Sequence, residues 1–224
     1  MKKMPCLFQR DFSSKRNPVL LNALTPGCEW ALTAEAIATR KYDGTACAVI
    51  GGQLYKRYDL KRVNAVHDIS KLPQGAIACD EPDSVTGHWP HWVLVGQEPD
   101  SRWHREAWEA VRGGGVDVAG GAAVWRDGVR TLPDGTYELC GPKLQGNPEA
   151  LTSAEFFRHG AVVEQVLDRS FDGLRRFLEE YAGEGLVFHH PDGRRCKIRR
   201  GDYGFAWPIL LGGISEETFD GGGQ

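Results

Sequence analysis

Arg40-Lys41-Tyr42-Asp43-Gly44-Thr45 separates two apolar runs, Trp30-Ala31-Leu32-Thr33-Ala34-Glu35-Ala36-Ile37-Ala38 before it and Ala46-Cys47-Ala48-Val49-Ile50 after it. The pattern predicts a strand leading in, a tight turn at Asp43-Gly44 and a strand leading out. Such a hairpin holds Lys41 at the edge of a sheet, half out of water. A lysine amine is a nucleophile only when neutral, a state that partial burial and neighbouring cations favour. Taken alone, the tetrapeptide fits an ordinary surface lysine equally well, so the rest of the chain has to decide.

A chain of 224 residues is long enough to bury a real core as one domain. Its 41% hydrophobic and 25% charged residues are ordinary for a soluble globular protein, and 28 glycines suggest a turn-rich, sheet-rich fold. The net charge of -3 excludes a basic nucleic-acid coat, so an anion would have to be met by a local cluster of Lys and Arg. Cys6, Cys28, Cys47, Cys79, Cys140 and Cys196 are spread singly, which predicts reduced thiols in a cytoplasmic protein rather than disulfides or zinc. No apolar run approaches bilayer length and no apolar segment follows the basic start, so neither a membrane partner nor a signal peptide is expected.

Residues 1-28 read as an irregular lead-in with a basic tint from Arg10, Lys15 and Arg16. Gly51-Gly52 predicts a turn into a strand over 53–62. That strand carries Lys56, Arg57, Lys61 and Arg62, which suit either a solvated strand or the wall of a triphosphate pocket. Residues 63–100 are loop-rich, with a strand pattern only at 89–95. His88 and His91 lack helically spaced Cys or Glu partners and read as ordinary histidines rather than a metal pair. An amphipathic helix is expected over 102–111, ended by Gly113-Gly114-Gly115. The glycines from Gly113 to Gly121 lack the Gly-Lys-Ser/Thr ending of a phosphate loop and read as a flexible loop. Asp-Gly turns punctuate strands within 122–140, a polar loop covers 143–149, and a strand is expected over 161–167. Phe171, Leu174, Phe177, Leu178 and Tyr181 recur at helical spacing. Pro191-Asp192-Gly193 turns a final hairpin of strands over 184–190 and 194–200, and the tail past Pro208 is expected to fray. The domain reading is a lead-in over 1-28, one domain over 29-208 with an insert at about 63-115, and a tail over 209-224.

Four pieces belong together. Lys41 and Asp43 sit at the turn, Glu138 lies inside a strand of apolar or small residues, and Glu184 begins the penultimate strand. Lys197 and Arg199 alternate on the last strand and so share a face. Taken in order, Lys41-Tyr42-Asp43-Gly44, Tyr137-Glu138-Leu139, Glu184-Gly185-Leu186-Val187 and Lys197-Ile198-Arg199 resemble the signature of the covalent nucleotidyltransferase superfamily, the ATP-dependent DNA and RNA ligases and mRNA capping enzymes. A closer resemblance covers most of the chain. Tyr55-Lys56-Arg57-Tyr58-Asp59, Tyr137-Glu138-Leu139-Cys140-Gly141-Pro142-Lys143 with Gly146-Asn147-Pro148, and Lys197-Ile198-Arg199-Arg200 look like the stand-alone 5′-3′ RNA ligases, a group that includes the vertebrate RNA ligase and its viral and bacterial relatives.

That resemblance implies an α+β fold: antiparallel sheets with peripheral helices forming a nucleotidyltransferase domain of the ATP-grasp-like ligase type. It implies ATP as the nucleotide and Mg²⁺ (or Mn²⁺) as the metal, with Lys41 as the amine that accepts AMP. Lys197 and Arg199 are suited to meeting the phosphate charge and to favouring the neutral amine at Lys41. Asp43 and Glu184 are the metal candidates, since a hard cation that keeps its waters needs few carboxylates. Glu138 is implied as the reader of a ribose hydroxyl and Arg57 as a ribose or phosphate contact. His159, Phe157 and Phe156 are candidates to stack on the purine, with His159 favoured. Glu35 faces either the surface or the adenine pocket.

Two departures narrow the substrate. DNA ligases continue the first motif as K-x-D-G-x-R, where this chain has Ala46, and no oligonucleotide-binding domain follows Arg200. Both point toward joining of RNA 5′-phosphate and 3′-hydroxyl ends, and a monomer is expected. The rivals are a DNA end- or nick-sealing ligase and a non-catalytic nucleotide- or RNA-end-binding protein. Trp89, Trp92, Trp103 and Trp108 in the insert either stack bases or pack the fold, and packing is the reading preferred.

Overall fold

The computed structural model describes residues 4–13, 18–64, 66–84, 86–114 and 123–209. In chain order the strands are β1 (Phe8–Asp11), β2 (Val19–Leu24), β3 (Ile37–Lys41), β4 (Thr45–Ile50), β5 (Gln53–Leu60), β6 (Arg62–Val63), β7 (Val66–His67), β8 (Ile77–Ala78), β9 (Trp89–Leu94), β10 (Val124–Arg126), β11 (Val129–Thr131), β12 (Gly135–Cys140), β13 (Glu155–Arg158), β14 (Gly185–His189) and β15 (Arg195–Arg199). The helices are α1 (Arg102–Arg112) and α2 (Phe171–Glu180). A six-stranded sheet runs in the order β13-β12-β4-β5-β9-β8, a three-stranded sheet in the order β15-β14-β3, and three further strand pairs stand apart. All of these pairings are antiparallel, so the molecule is α+β. Among the described residues no helix is long and apolar enough to cross a membrane.

The period-two alternation of the strands gives each main sheet one apolar face. Cys47, Val49, Leu54, Tyr137, Leu139 and Phe156 of the large sheet pack on Ala107, Trp108 and Val111 of α1. Ala38, Leu186, Phe188 and Ile198 of the small sheet pack on Leu174 and Leu178 of α2, with Leu7, Phe8 and Trp30 from the N-terminal segment. The remaining faces, carrying Thr39, Lys41, Val187, His189, Arg195 and Lys197 on one side and Ala46, Arg57 and Glu138 on the other, enclose a common cavity. Two separately stabilised layers thus leave their polar faces to the cleft.

Several expectations agree with these elements. Gly51 (φ 59) and Gly52 (φ 77) form the two-residue left-handed turn that joins β4 to β5. Both helices fall within a residue of their expected bounds, and the last hairpin pairs Gly185 with Arg199 through to His189 with Arg195.

Others are corrected. β3 and β4 do not form a hairpin: β3 pairs with β14, while β4 lies between β5 and β12. Tyr42-Asp43-Gly44 is therefore the crossing from one sheet to the other. Gly44 is required there by close approach, since a Cβ would overlap the Leu139 carbonyl oxygen and lie 2.6 Å from Cys140 Sγ. The strand expected from Trp30 begins only at Ile37, because Glu29–Leu32 coils into a 3-10 turn with the Trp30 indole donating to the Gly27 carbonyl at 2.8 Å. The N-terminal segment is not irregular. β1 and β2 pair, and Cys6 bridges Lys197 in parallel, with Lys197 N donating to Pro5 O at 3.0 Å. The strand expected at 161–167 is instead coil that touches the free edge of β3 through Arg40 N to Val162 O and Glu164 N to Ala38 O. In that region β13, which was not expected, supplies the ladder. The two-residue strands β6, β7 and β8 also add to the single strand expected between 63 and 100. Lys15, Arg16, the glycine run from Gly115 and the tail from 210 lie outside the described residues.

Candidate active site

Lys41 is the last residue of β3 and stands opposite Gly185, the first residue of β14. Its Nζ forms an ion pair with Glu184 Oε2 and donates to the Tyr42 carbonyl at 3.2 Å. On its other side Gly185 permits the close approach of β15: a Cβ there would overlap the Ile198 carbonyl oxygen and lie 2.7 Å from Arg199 Cα. Burial pushes the Glu184 carboxyl up, the Lys41 ammonium pulls it back, and the charge of Asp43 adds to the rise. Lys41, Asp43 and Glu184 thus form one electrostatic group at the junction of the two sheets.

Lys197 faces the same cavity from β15. Burial and the positive charges of Lys41 and Arg199 push its ammonium down to about 8. No hydrogen bond or ion pair engages its Nζ among the described residues. A desolvated cation that feels Glu184 and Asp202 only at a distance, with no direct ion pair, is a ready anion site. Arg199 is placed on the same strand face but is committed elsewhere. Its Nη2 and Nε reach Asp202 Oδ1 and Oδ2 at 3.0 and 3.4 Å, and Asp202 also takes Arg10. Arg199 does not line the cavity.

On the opposite wall, Glu138 Oε1 accepts from Gly44 N at 3.2 Å, while Oε2 lies 2.9 Å from His159 Nε2. His159 Nδ1 lies 3.0 Å from Thr136 Oγ1, so the ring is held at both nitrogens. Arg57 enters the cavity from β5 with its Nε donating to Asp59 at 2.9 Å. The other cations of that stretch are not in the cavity, and Lys56 pairs with Asp100 beside α1. Phe157 stacks on Tyr42 at 4.1 Å between centroids, and Phe156 is buried against Trp108 and Tyr137. His159 is the one of these three rings that lines the cavity. Glu35 is exposed and pairs with His190 at 3.3 Å, outside the cavity. Trp92 and Trp108 are buried, Trp103 packs on the α1 core, and Trp89 donates to the Asp80 carbonyl, as the packing reading expects.

The cavity encloses about 190 Å³. Neither Asp43 nor Glu184 lines it. Within it, Thr39 Oγ1 lies 3.0 Å from His189 Nε2, and burial with the charges of Arg195 and His159 pushes that imidazole down to about 4. For a hard divalent ion, Asp43 and Glu184 each keep one carboxylate oxygen without a hydrogen bond among the described residues. These fit a largely hydrated Mg²⁺ held by few carboxylates. No group of three or more His, Cys, Asp or Glu gathers into a protein-only metal cage among the described residues.

Three contributors were not anticipated. Glu149 accepts from the Arg40 guanidinium at 2.9 Å and from Asp43 N at 3.1 Å, so it grips the chain on both sides of Lys41. Arg40 in turn lies over the Tyr42 and Tyr181 rings at 5.0 and 6.0 Å. Trp207 donates its indole N–H to Asp43 Oδ2 at 2.9 Å. The only signal for Glu149 was its place at the end of the Gly146-Asn147-Pro148 loop. For Trp207 it was a large aromatic placed just before the Pro208 boundary, where the tail was expected to begin.

No family model matches the chain. It is 28% identical over 270 aligned positions to RNA ligase 1 of Rattus norvegicus, covering 93% of this chain and 82% of that protein. RNA ligase 1 of Mus musculus matches at the same identity and coverage, and RNA ligase 1 of Danio rerio at 25% over 272 positions. The chain is thus related in sequence, along most of its length, to proteins named RNA ligase 1.

Proposed function

We propose that this protein is an ATP-dependent RNA ligase that joins 5′-phosphate and 3′-hydroxyl ends through a lysyl-AMP and an adenylylated RNA. One observation carries the reading: Lys41, Lys197, Glu138, Arg57 and His159, from distant parts of the chain and two different sheets, line one cavity. The relatives named RNA ligase 1 support the substrate class. Ala46, at the place of the DNA-ligase arginine, favours RNA over DNA ends.

In this proposal the neutral amine of Lys41 attacks the α-phosphorus of ATP. The P–N bond forms, the bond to the pyrophosphate oxygen breaks, and the amine gives up its proton to the adjoining Glu184 carboxylate or to water. Lys197, desolvated and without a direct ion pair among the described residues, meets the charge on the α-phosphate oxygens. Glu138 accepts from a ribose hydroxyl, His159 and Arg57 bound the sugar and base, and Arg199 acts at longer range through its hold on Asp202. Asp43 and Glu184 would hold Mg²⁺, which neutralises phosphate charge when bound. An RNA 5′-phosphate oxygen then displaces Lys41 from the AMP phosphorus, and an RNA 3′-hydroxyl displaces AMP.

The proposed nucleotidyltransferase domain covers 29–208, with the β1–β2 pair packed against it. Unpaired cysteines at all six positions suit a reducing, cytoplasmic setting, and a monomer is proposed. The test supplies ATP, Mg²⁺ and matched RNA or DNA strands bearing a 5′-phosphate and a 3′-hydroxyl. RNA joining with accumulation of adenylylated RNA supports the reading. Preferential DNA joining replaces it with the DNA-ligase reading, and ATP binding without joining replaces it with a binding protein.

A further inference from the structure

We propose that Trp207 is a positioning residue for lysine adenylylation, which makes the segment after the last strand a working part of the site. The proposal rests on the function proposed above. Its basis is the bond from the Trp207 indole N–H to Asp43 Oδ2, which links residues 164 apart in sequence. Asp43 is two residues from Lys41, at the crossing between the sheets. Its backbone N–H is held by Glu149, yet among the described residues the indole is the only hydrogen-bond partner of its carboxylate.

The segment that delivers the indole is anchored by a buried charge. Arg200 is 7% exposed, and its Nη1 donates to the carbonyls of Leu178, Glu179 and Tyr181 at the C-terminal end of α2. Those carbonyls carry the negative end of the helix dipole and lack partners within the helix, so a guanidinium satisfies them. The Nε of the same guanidinium donates to the Ala206 carbonyl at 3.1 Å, one residue before Trp207. Phe205 N returns a bond to Arg200 O at 3.1 Å. A continuous set of contacts therefore runs from α2 through Arg200 and Ala206 to Trp207 and Asp43. It fixes the carboxylate by one oxygen and leaves the other, Oδ1, without a hydrogen bond among the described residues, in a group whose charge is felt at Glu184. A neutral donor suits this task, because a cation there would compete with Lys41 and with a divalent ion.

The test uses the full chain and three tryptophan or partner variants. Trp207→Phe keeps the ring and removes the N–H, and Trp125→Phe, at a 73% exposed position on β10, is the control. Each is first shown by thermal melting to be folded, then assayed for acid-labile lysine–AMP across a range of ATP concentrations. A lost hydrogen bond to a charged group corresponds to roughly a tenfold to hundredfold effect. The expected result is a fall of that size in the maximal rate for Trp207→Phe, with KM for ATP changed less than about twofold, as for loss of an interaction that matters chiefly in the transition state. Trp125→Phe should match wild type. Independently of activity, the indole N–H resonance of Trp207 in ¹⁵N-labelled protein should move upfield in Asp43→Ala. An unchanged or faster maximal rate in Trp207→Phe overturns the proposal, the faster rate by making the segment a brake. An indole resonance indifferent to Asp43→Ala overturns its structural basis. If wild type forms no adduct at all, the ligase reading fails and the positioning role falls with it, whatever the resonance does.

Discussion

Removing Glu149 tests the grip around Lys41 in isolation from the reacting groups. Its side chain is 4% exposed and holds two donors, the Arg40 guanidinium at 2.9 Å and Asp43 N at 3.1 Å. Glu149→Ala leaves a guanidinium that is 28% exposed with only the long 3.5 Å bond to the Ala182 carbonyl, its Nε already buried without a partner among the described residues. Breaking a buried ion pair from one side typically costs about 3–5 kcal/mol, and the residual exposure of Arg40 places this case near the lower end, about 3 kcal/mol. The orphaned Asp43 N–H belongs to the same loss. For a chain of this size, about 3 kcal/mol lowers Tm by roughly 6–12 °C. Urea unfolding should show an earlier midpoint with an unchanged slope. The double variant Arg40→Met with Glu149→Leu removes both charges together and should recover most of the stability, while adenylylation stays depressed because Asp43 N remains unheld. A loss below about 1 kcal/mol in Glu149→Ala, or a double variant no more stable than the single, would refute the buried grip.

Lys197 should set the alkaline limb of adenylylation. In the free protein its ammonium sits near 8, so kcat/KM for ATP should fall as the pH rises through that value, when the cation that meets the phosphate is lost. Lys197→Arg should move this limb upward and Lys197→Met should abolish it along with most of the rate; an unmoved limb in Lys197→Arg contradicts the assignment. His104 should make folding sensitive to mild acid. It is 7% exposed, neither ring nitrogen has a hydrogen-bond partner among the described residues, and burial pushes it from 6.5 to about 4. The unfolded chain therefore takes up this proton first as the pH falls, so stability drops between pH 6.5 and 4, by up to about 3 kcal/mol. In urea titrations over that range, His104→Leu should show a shallower pH slope, and an identical slope would remove His104 as the cause.

The sequence was most legible where a residue type has a single structural use. Gly51-Gly52 had to turn left-handed, and the spacing of Phe171, Leu174, Phe177 and Leu178 had to cover a core. Lys41, Glu138, Arg57, His159 and Lys197 were picked out by type and order, and the fold brings them to one cavity. The pairing of strands was not legible. Asp43-Gly44 looks like a hairpin turn in one dimension, but Gly44 is there because Leu139 and Cys140 leave no room for a Cβ. Nothing local distinguishes those two demands on a glycine. Arg199 was picked out as a phosphate contact, and its pairing with Asp202, three residues on and folded back by a 3-10 turn, was not legible. Glu149 and Trp207 act through contacts with residues 106 and 164 positions away, which no local pattern encodes.

The central claim is that Lys41 carries AMP. The most direct measurement incubates the protein with ATP and Mg²⁺, digests it, and locates the AMP by mass spectrometry of the peptides. The expected result is one adduct, on the Lys41 side chain, absent from Lys41→Ala and discharged when RNA with a 5′-phosphate is added. An adduct on Lys197 or another residue, or one that survives Lys41→Ala, would contradict it.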